Sequence, residues 1–258
     1  MSVWWVLLGS VLDSLRVMWP SLSIVMAAYN EEDALPACVD TTLSFLRNHV
    51  EDGELIIVND GSADGTARII DEMAETHPEV VARHLAQNGG MGAALLDGYS
   101  VARKDWVTML PADGQLGAHD LLGLFPATQE AVLVTSLYRN REYSLYRKTL
   151  SLGLRVLTAV IVGTRARTEG TYLVRRDILE SLGANFHSFL LNLEIPIRAK
   201  RGGHPVATVY MNVHERIAGV SKATAARRIV QTFRELFRLR LRMERERIQR
   251  RFGKPPTA

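Results

Sequence analysis

The chain has 258 residues, 47% of them hydrophobic and 23% charged, with 31 Lys/Arg against 28 Asp/Glu and one cysteine, Cys38. That length and apolar content support a sizeable core, in one α/β domain or two small ones, and exclude wholesale disorder. A single cysteine excludes an internal disulfide and any cysteine-rich zinc site, and it fits a reducing compartment.

Residues 1–20 carry Trp4, Trp5, Leu8, Val11, Leu12, Leu15, Met18 and Trp19, interrupted by Asp13 and Arg16. The run is too short to span a bilayer of about 30 Å. It lacks a basic leader and a small-residue cleavage site, so a signal peptide fits poorly. As a helix it gathers its apolar residues on one broad face, and its tryptophans suit a membrane interface or the protein's own core. No other stretch is long and apolar enough to be a transmembrane helix.

From 22 to 110, short apolar runs alternate with helix-like stretches. Strands are expected over 22–28, 54–58, 80–85 and 106–110. Helices are expected over 34–49, from a cap at Ser62 or Asp64 to 76, and over 92–103. This alternation predicts a mainly parallel sheet flanked by helices. Further helical segments are expected over 143–162, 173–182 and 188–201, and a strand over 206–213. The tail, 223–252, places Ile229, Phe233, Phe237, Leu241, Ile248 and Phe252 among basic residues, as an amphipathic helix stopped by Pro255-Pro256. Between Lys222 and Lys254 there are 12 Lys/Arg against 3 Asp/Glu, so a basic tail follows an acidic body. Such a tail suits an anionic surface, or is simply solvated.

Four polar clusters follow the first four strands: Ala28-Tyr29-Asn30-Glu31-Glu32, Asn59-Asp60-Gly61-Ser62-Ala63-Asp64-Gly65-Thr66, Asn88-Gly89-Gly90-Met91-Gly92, and Pro111-Ala112-Asp113-Gly114-Gln115. Each has a structural explanation alone: Asp-Gly-Ser is a turn, and glycines before a helix permit close packing. Together they put carboxylates, amides and glycines at four successive strand ends, where α/β sheets bind ligands. Such a crevice suits a base, a ribose and phosphates.

The order A-Y-N-E-E, V-N-D-G-S-A-D-G-T, N-G-G-M-G-A-A-L-L-D-G and A-D-G-Q resembles the family 2 glycosyltransferases of GT-A fold, within them the dolichyl- or polyprenyl-phosphate mannose or glucose synthases. The resemblance covers about 22–222 and is most specific in its first half. It implies an α/β GT-A domain over 21–222, between an amphipathic N-terminal segment (1–20) and a basic amphipathic helix and tail (223–258).

By position, the resemblance makes Ala28, Tyr29, Asn30 and Glu31 a nucleotide-contacting strand end. It makes Asp60 the acidic residue that hydrogen-bonds the base or nearby nucleoside, and it sets Asn88 and Gly92 beside the nucleoside, with Ala112 and Asp113 at the diphosphate. Asp113 takes the last acidic position of the family's metal motif, with Gln115 as a neighbouring oxygen ligand for Mg²⁺ or Mn²⁺. Arg147 and Ser151 match an acceptor-phosphate helix, and Arg216 and Lys222 match an R-x-x-G-x-S-K element near the phosphates. Asp113, Arg147 and Arg216 are thereby the catalytic candidates, and Glu194 stands on a helix that usually carries a donor-facing Glu. Three positions depart from the pattern: Pro111 and Asn59 replace acids, and Glu169-Gly170-Thr171 replaces Ser-Gly-Phe on the acceptor side.

The implied activity is inverting transfer of a hexose from GDP-mannose or a UDP-hexose to a polyprenyl or dolichyl phosphate. The expected setting is the cytoplasmic, inner face of a membrane, with peripheral attachment and no nucleic-acid partner. Two alternatives remain: a soluble or glycan acceptor, and a nucleotide-sugar-binding protein without catalysis.

Overall fold

The computed structural model describes residues 18–114, 116–139, 170–185, 190–212 and 226–251, with positions 153, 160, 161 and 163. Its elements run β1 (Trp19–Ala28), α1 (Leu35–His49), β2 (Val50–Asn59), α2 (Thr66–Thr76), β3 (Val80–His84), α3 (Met91–Val101) and β4 (Trp106–Pro111). Two short 3-10 helices follow (Ala118–Gly123 and Phe125–Gln129), then β5 (Leu133–Tyr138), β6 (Tyr172–Arg175), α4 (Arg176–Ser181), α5 (Leu191–Arg201), β7 (Val206–Met211) and α6 (Ala226–Arg251).

The seven strands form one sheet in the order β3-β2-β1-β4-β6-β5-β7. β1 pairs in parallel with β2 and β4, and β2 with β3; β6 is antiparallel to both β4 and β5. The strand alternation explains why β1 and β2 read as unbroken apolar runs. Ile24, Met26, Leu55 and Ile57 face one core, under α1 and α2. Val25, Ile56 and Val58 face the other, under α3, α4, α5 and α6. A sheet covered on both faces has no polar side to alternate with. Gly98 of α3 is where helix and sheet come closest, since a Cβ there would sit 2.3 Å from Val25 Cγ1.

Several expectations change. β1 begins at Trp19, whose ring is buried, stacks on Phe125 at 4.0 Å and meets Trp106 edge-on at 5.6 Å, so this tryptophan serves the core. Residues 172–175, expected as helix, are strand β6. The run Tyr-Leu-Val-Arg is too short to show a period before α4 starts. Leu133–Tyr138 adds a strand that the sequence reading did not assign. The expected helix over 143–162 lies almost entirely outside the described residues.

The amino ends of the strands are tied by Glu54, which is 2% exposed. Its carboxylate accepts the Ser23 hydroxyl at 2.7 Å, the Arg103 N–H at 2.7 Å and the Arg103 guanidinium at 2.8 and 3.0 Å. Burial alone would raise this carboxyl's pKa, but those donors outweigh it and hold it below the ordinary Glu range. A carboxyl depressed by folding stabilises the protein above its unfolded pKa, and that contribution is lost as the pH falls through the folded value. Glu54→Ala leaves the Ser23 hydroxyl and the Arg103 N–H without this acceptor, while the exposed guanidinium turns to water, and should cost about 2 kcal/mol at pH 7. In urea unfolding, the gap between wild type and Glu54→Gln should narrow as pH falls below about 4. A gap independent of pH would show that the charge contributes nothing.

Candidate active site at the carboxyl ends of the parallel strands

The register of the sheet assembles the polar clusters. Ala28 lies opposite Asn59, Asn59 opposite His84, and Ala27 opposite Pro111. The loops after β1, β2, β3 and β4 therefore leave the sheet along one edge. β1 and β4 are neighbours, with β2 and β3 running outward on the far side of β1. This reversal of strand order opens a crevice between the loops after β1 and β4.

The loops after β1 and β2 are latched together by local polar chemistry. Asn30, with φ 54°, donates its N–H to the Ser62 hydroxyl at 3.0 Å, and its amide oxygen accepts the Ala63 N–H at 2.9 Å. Glu31 N–H meets the Thr66 hydroxyl at 3.0 Å, and the Glu32 carboxylate takes the Gly65 N–H at 2.7 Å. Asp64 caps the start of α2, accepting the Thr66 hydroxyl at 2.6 Å and N–H at 3.0 Å. Burial would raise the Asp64 carboxyl, but the Thr66 donors and the Glu32 N–H hold it below the ordinary range. Ser62 thus serves the latch, and Asp64 the cap.

Asp60 is buried and faces inward, toward the third loop. Its two oxygens accept the Gly89 N–H at 2.7 Å and the Gly90 N–H at 3.0 Å. Gly61, with φ +67°, completes the contact, because a Cβ there would lie 2.6 Å from Asn88 N and from Gln87 C. Asn59, standing where an acid was expected, accepts the Ser62 N–H at 2.9 Å and meets His84 Nδ1 at 3.3 Å. His84 Nε2 in turn lies 2.9 Å from Asp71. The open face of these loops carries Tyr29, 41% exposed, and Met91, 39% exposed, together with the exposed Asn30 and Asn88. Gly92 is buried in the first turn of α3.

The fourth loop is held by a residue that the sequence reading treated only as a redox marker. Cys38 of α1 is buried and donates its thiol to the Ala112 carbonyl at 3.2 Å, while the Gly114 N–H reaches its sulfur. Burial pushes the Cys38 pKa up, and the nearby Asp113 and Glu31 carboxylates add to it. One thiol therefore senses a carboxylate from each wall of the crevice. Its helical spacing with Leu35, Val39 and Thr42 was the available signal, since it puts Cys38 on the sheet-facing side of α1. Ala112 is buried and Asp113 half-buried. Pro111 closes β4 beyond its pairing with β6, which reaches only Thr108, so the missing N–H falls outside that ladder.

Two residues assigned by resemblance have other work. Glu194 is fully buried, and its oxygens accept Arg198 Nε at 2.7 Å and the Asn185 N–H at 3.0 Å. Arg198 continues to Glu246 at 2.8 and 3.2 Å, so this chain fastens α5 to α6 instead of facing a donor. Thr171 is also fully buried and bridges strands, donating to the Met109 carbonyl at 2.5 Å and meeting Thr108 Oγ1 at 3.0 Å. It is an interior tie, not a floor open to an acceptor. Gln115, Arg147, Ser151, Glu169, Arg216 and Lys222 lie outside the described residues. A cavity of about 590 Å³ beside Asp105, Trp106, Glu130, Arg175 and Asp177 lies at the opposite, amino end of β4 and shares none of the crevice residues.

The model of glycosyl transferase family 2 matches residues 23–190, well over half of the chain. The chain belongs to glycosyl transferase family 2. This member is 30% identical over 212 residues to a dolichyl-phosphate beta-glucosyltransferase of Trichomonas vaginalis, covering 75% of this chain and 66% of the relative. It is 32% identical over 169 residues to an undecaprenyl-phosphate 4-deoxy-4-formamido-L-arabinose transferase of Photorhabdus laumondii, covering 62% and 51%. The family 2 chain thus spans between about half and two thirds of the length of these curated relatives. Its fold is that of glucosyl-3-phosphoglycerate synthase of Mycobacterium tuberculosis, solved with Mn²⁺, UDP and phosphoglyceric acid. That likeness has a TM-score of 0.61 at 21% identity, covering 92% of this chain and 80% of the other. A mannosyltransferase of Pyrobaculum calidifontis, solved with GDP-Man and Mn²⁺, gives 0.60 at 19% identity, covering 86% and 66%. The expected GT-A α/β fold is therefore the observed one.

The Asp60 arrangement is directly testable. Asp60→Asn replaces an acceptor of two N–H groups with a group that itself donates, and it should release the Gly89–Gly90 loop. Hydrogen exchange at those two amides should rise at least tenfold while the sheet amides stay protected. Unchanged exchange would show that the loop holds its shape without the carboxylate.

Proposed function

We propose that this protein transfers a hexose from a nucleoside-diphosphate sugar to a polyprenyl phosphate, with inversion at the anomeric carbon. The carrying observation is the Asp113 turn, held by Cys38 on the crevice wall opposite Tyr29-Asn30-Glu31. The polyprenyl acceptor is supported by the names of both curated relatives, each a transferase to a lipid phosphate.

A divalent ion, Mg²⁺ or Mn²⁺, fits this donor set. Among the described residues no three His, Cys, Asp or Glu side chains form a ready-made cage. An ion shared with a diphosphate needs only one or two protein carboxylates, and Asp113 supplies one, with Gln115 beside it in sequence. When bound, the ion would offset the charge that builds on the departing nucleoside diphosphate. The loops after β1, β2 and β3 would seat the base and ribose through the open faces of Tyr29, Asn30 and Asn88. Asp60 would act through the shape of the Gly89–Gly90 loop. An acceptor phosphate is already anionic at neutral pH, so the chain has no need of a dedicated general base, and its main work is to position two anions. Arg147, Ser151, Arg216 and Lys222 are the proposed contacts of the acceptor and donor phosphates. A lipid acceptor would bring the protein to a membrane, and the reading places it peripherally at the cytoplasmic face; among the described residues no helix is long and apolar enough to cross one.

Pro111 and Asn59 favour one other reading, a protein that binds nucleotide sugars without turning them over. A thermal-shift screen of GDP- and UDP-sugars with Mn²⁺, followed by transfer to a short-chain polyprenyl phosphate, separates the two. Asp113→Ala should abolish the metal-dependent part of the shift and lower turnover at least 100-fold, as loss of a charge-stabilising group does. Full activity in Asp113→Ala would overturn the proposal, and binding without turnover in the wild type would favour the second reading.

A further inference from the structure

The longest helix among the described residues, α6, is amphipathic twice over. Leu236, Leu239 and Met243 are 1%, 1% and 8% exposed and close the second core. The ion pair between the buried Arg198 and the half-buried Glu246 fixes the same side of the helix to α5. On the far side Phe237, Leu241 and Ile248 are 51%, 45% and 56% exposed. At 100° per residue these three fall within a wedge of about 40°, and the exposed Arg234, Arg238 and Arg245 occupy roughly the next 60°. A second segment borders α6 on the other flank of this stripe. Arg240 donates to the Ile161 carbonyl at 3.0 Å, and the neighbouring Val160 is 73% exposed.

An outward stripe of large apolar side chains is costly in water unless something covers it. The flanking arginines say what that is. A protein core would leave three guanidinium groups to be paired, whereas a bilayer surface offers a hydrocarbon margin beside anionic headgroups. The stripe is too narrow and the helix too charged to enter the bilayer, so α6 would lie flat with only its outer wedge in the acyl boundary. We infer that the outer face of α6, Phe237, Leu241 and Ile248 flanked by Arg234, Arg238 and Arg245, together with Val160, is the surface that docks this protein on an anionic lipid bilayer. This deepens the proposed use of a lipid-borne acceptor and rests on it for its purpose. The surface itself is independent of the crevice.

The test is vesicle binding by the full chain, without substrates. Phosphatidylcholine vesicles are compared with vesicles of phosphatidylcholine and phosphatidylglycerol at three to one, and nucleotide-sugar thermal shifts are recorded in parallel. The wild type should bind the anionic vesicles and lose much of that binding in 0.5 M NaCl. The triple variant Phe237→Ser, Leu241→Ser, Ile248→Ser should bind about tenfold more weakly, and Arg234→Glu, Arg238→Glu, Arg245→Glu should lose the preference for anionic lipid. Both variants should keep the wild-type thermal shift with nucleotide sugar, which separates this inference from the catalytic one. Unaltered vesicle binding in both variants would overturn it. So would an oligomer, detected by light scattering, that the serine variant dissolves, since the stripe would then join two copies. Tighter binding to duplex DNA than to anionic vesicles would overturn it as well.

Discussion

The parallel registration of β1 with β2 and β4 is the constraint on which the rest depends. It sets Ala28 level with Asn59 and Ala27 level with Pro111, and thereby sends the four polar loops off one edge of the sheet. A slip of one residue would move a loop by about 3.3 Å and turn its strand's side chains to the wrong core. The two apolar faces prevent that slip: Ile24 and Met26 fit one core and Val25 the other. The Glu54 tie holds the opposite ends. Packing on both faces of the sheet and the Glu54 tie at its amino end thus fix the geometry of the loops at its carboxyl end.

The polar residues of the crevice divide their labour. Asn30, Ser62, Thr66 and Asp64 spend their hydrogen bonds on one another and make the walls stiff. Asp60 and Cys38 shape the third and fourth loops from beneath. Tyr29, Asn30, Asn88 and Met91 form the exposed rim, and Asp113 stands half-buried on the opposite wall. A site built this way holds its donors in place before a ligand arrives, which is what stabilising a developing charge requires.

Much of this was legible in the sequence because the motifs are local. Each cluster sits directly after its strand, so finding the strands of the first half located the loops. What the sequence hid were partnerships across distance. Asp60 reads as a nucleotide contact, and nothing local in the sequence shows its link to Gly89 and Gly90, about thirty positions away. Glu194 reads as donor-facing until Arg198 and, through it, Glu246 of α6 account for it. Four residues cannot display a period, so β6 is not distinguishable from helix in the sequence, and nothing local separates Trp19 from the segment before it. In α6 apolar residues mostly four apart mark an amphipathic helix, but only packing separates the side taken by the core from the side left open.

The central claim is that the Asp113 turn and the loops after β1 to β3 enclose one diphosphate site. Its most direct test is a crystal of the full chain soaked with Mn²⁺ and a nucleoside-diphosphate sugar, with the ion located by its anomalous scattering. One peak is expected beside the Asp113 carboxylate and the diphosphate, with the base beside Tyr29 and Asn30. An ion and nucleotide bound elsewhere, such as the cavity near Arg175 and Asp177, would contradict it.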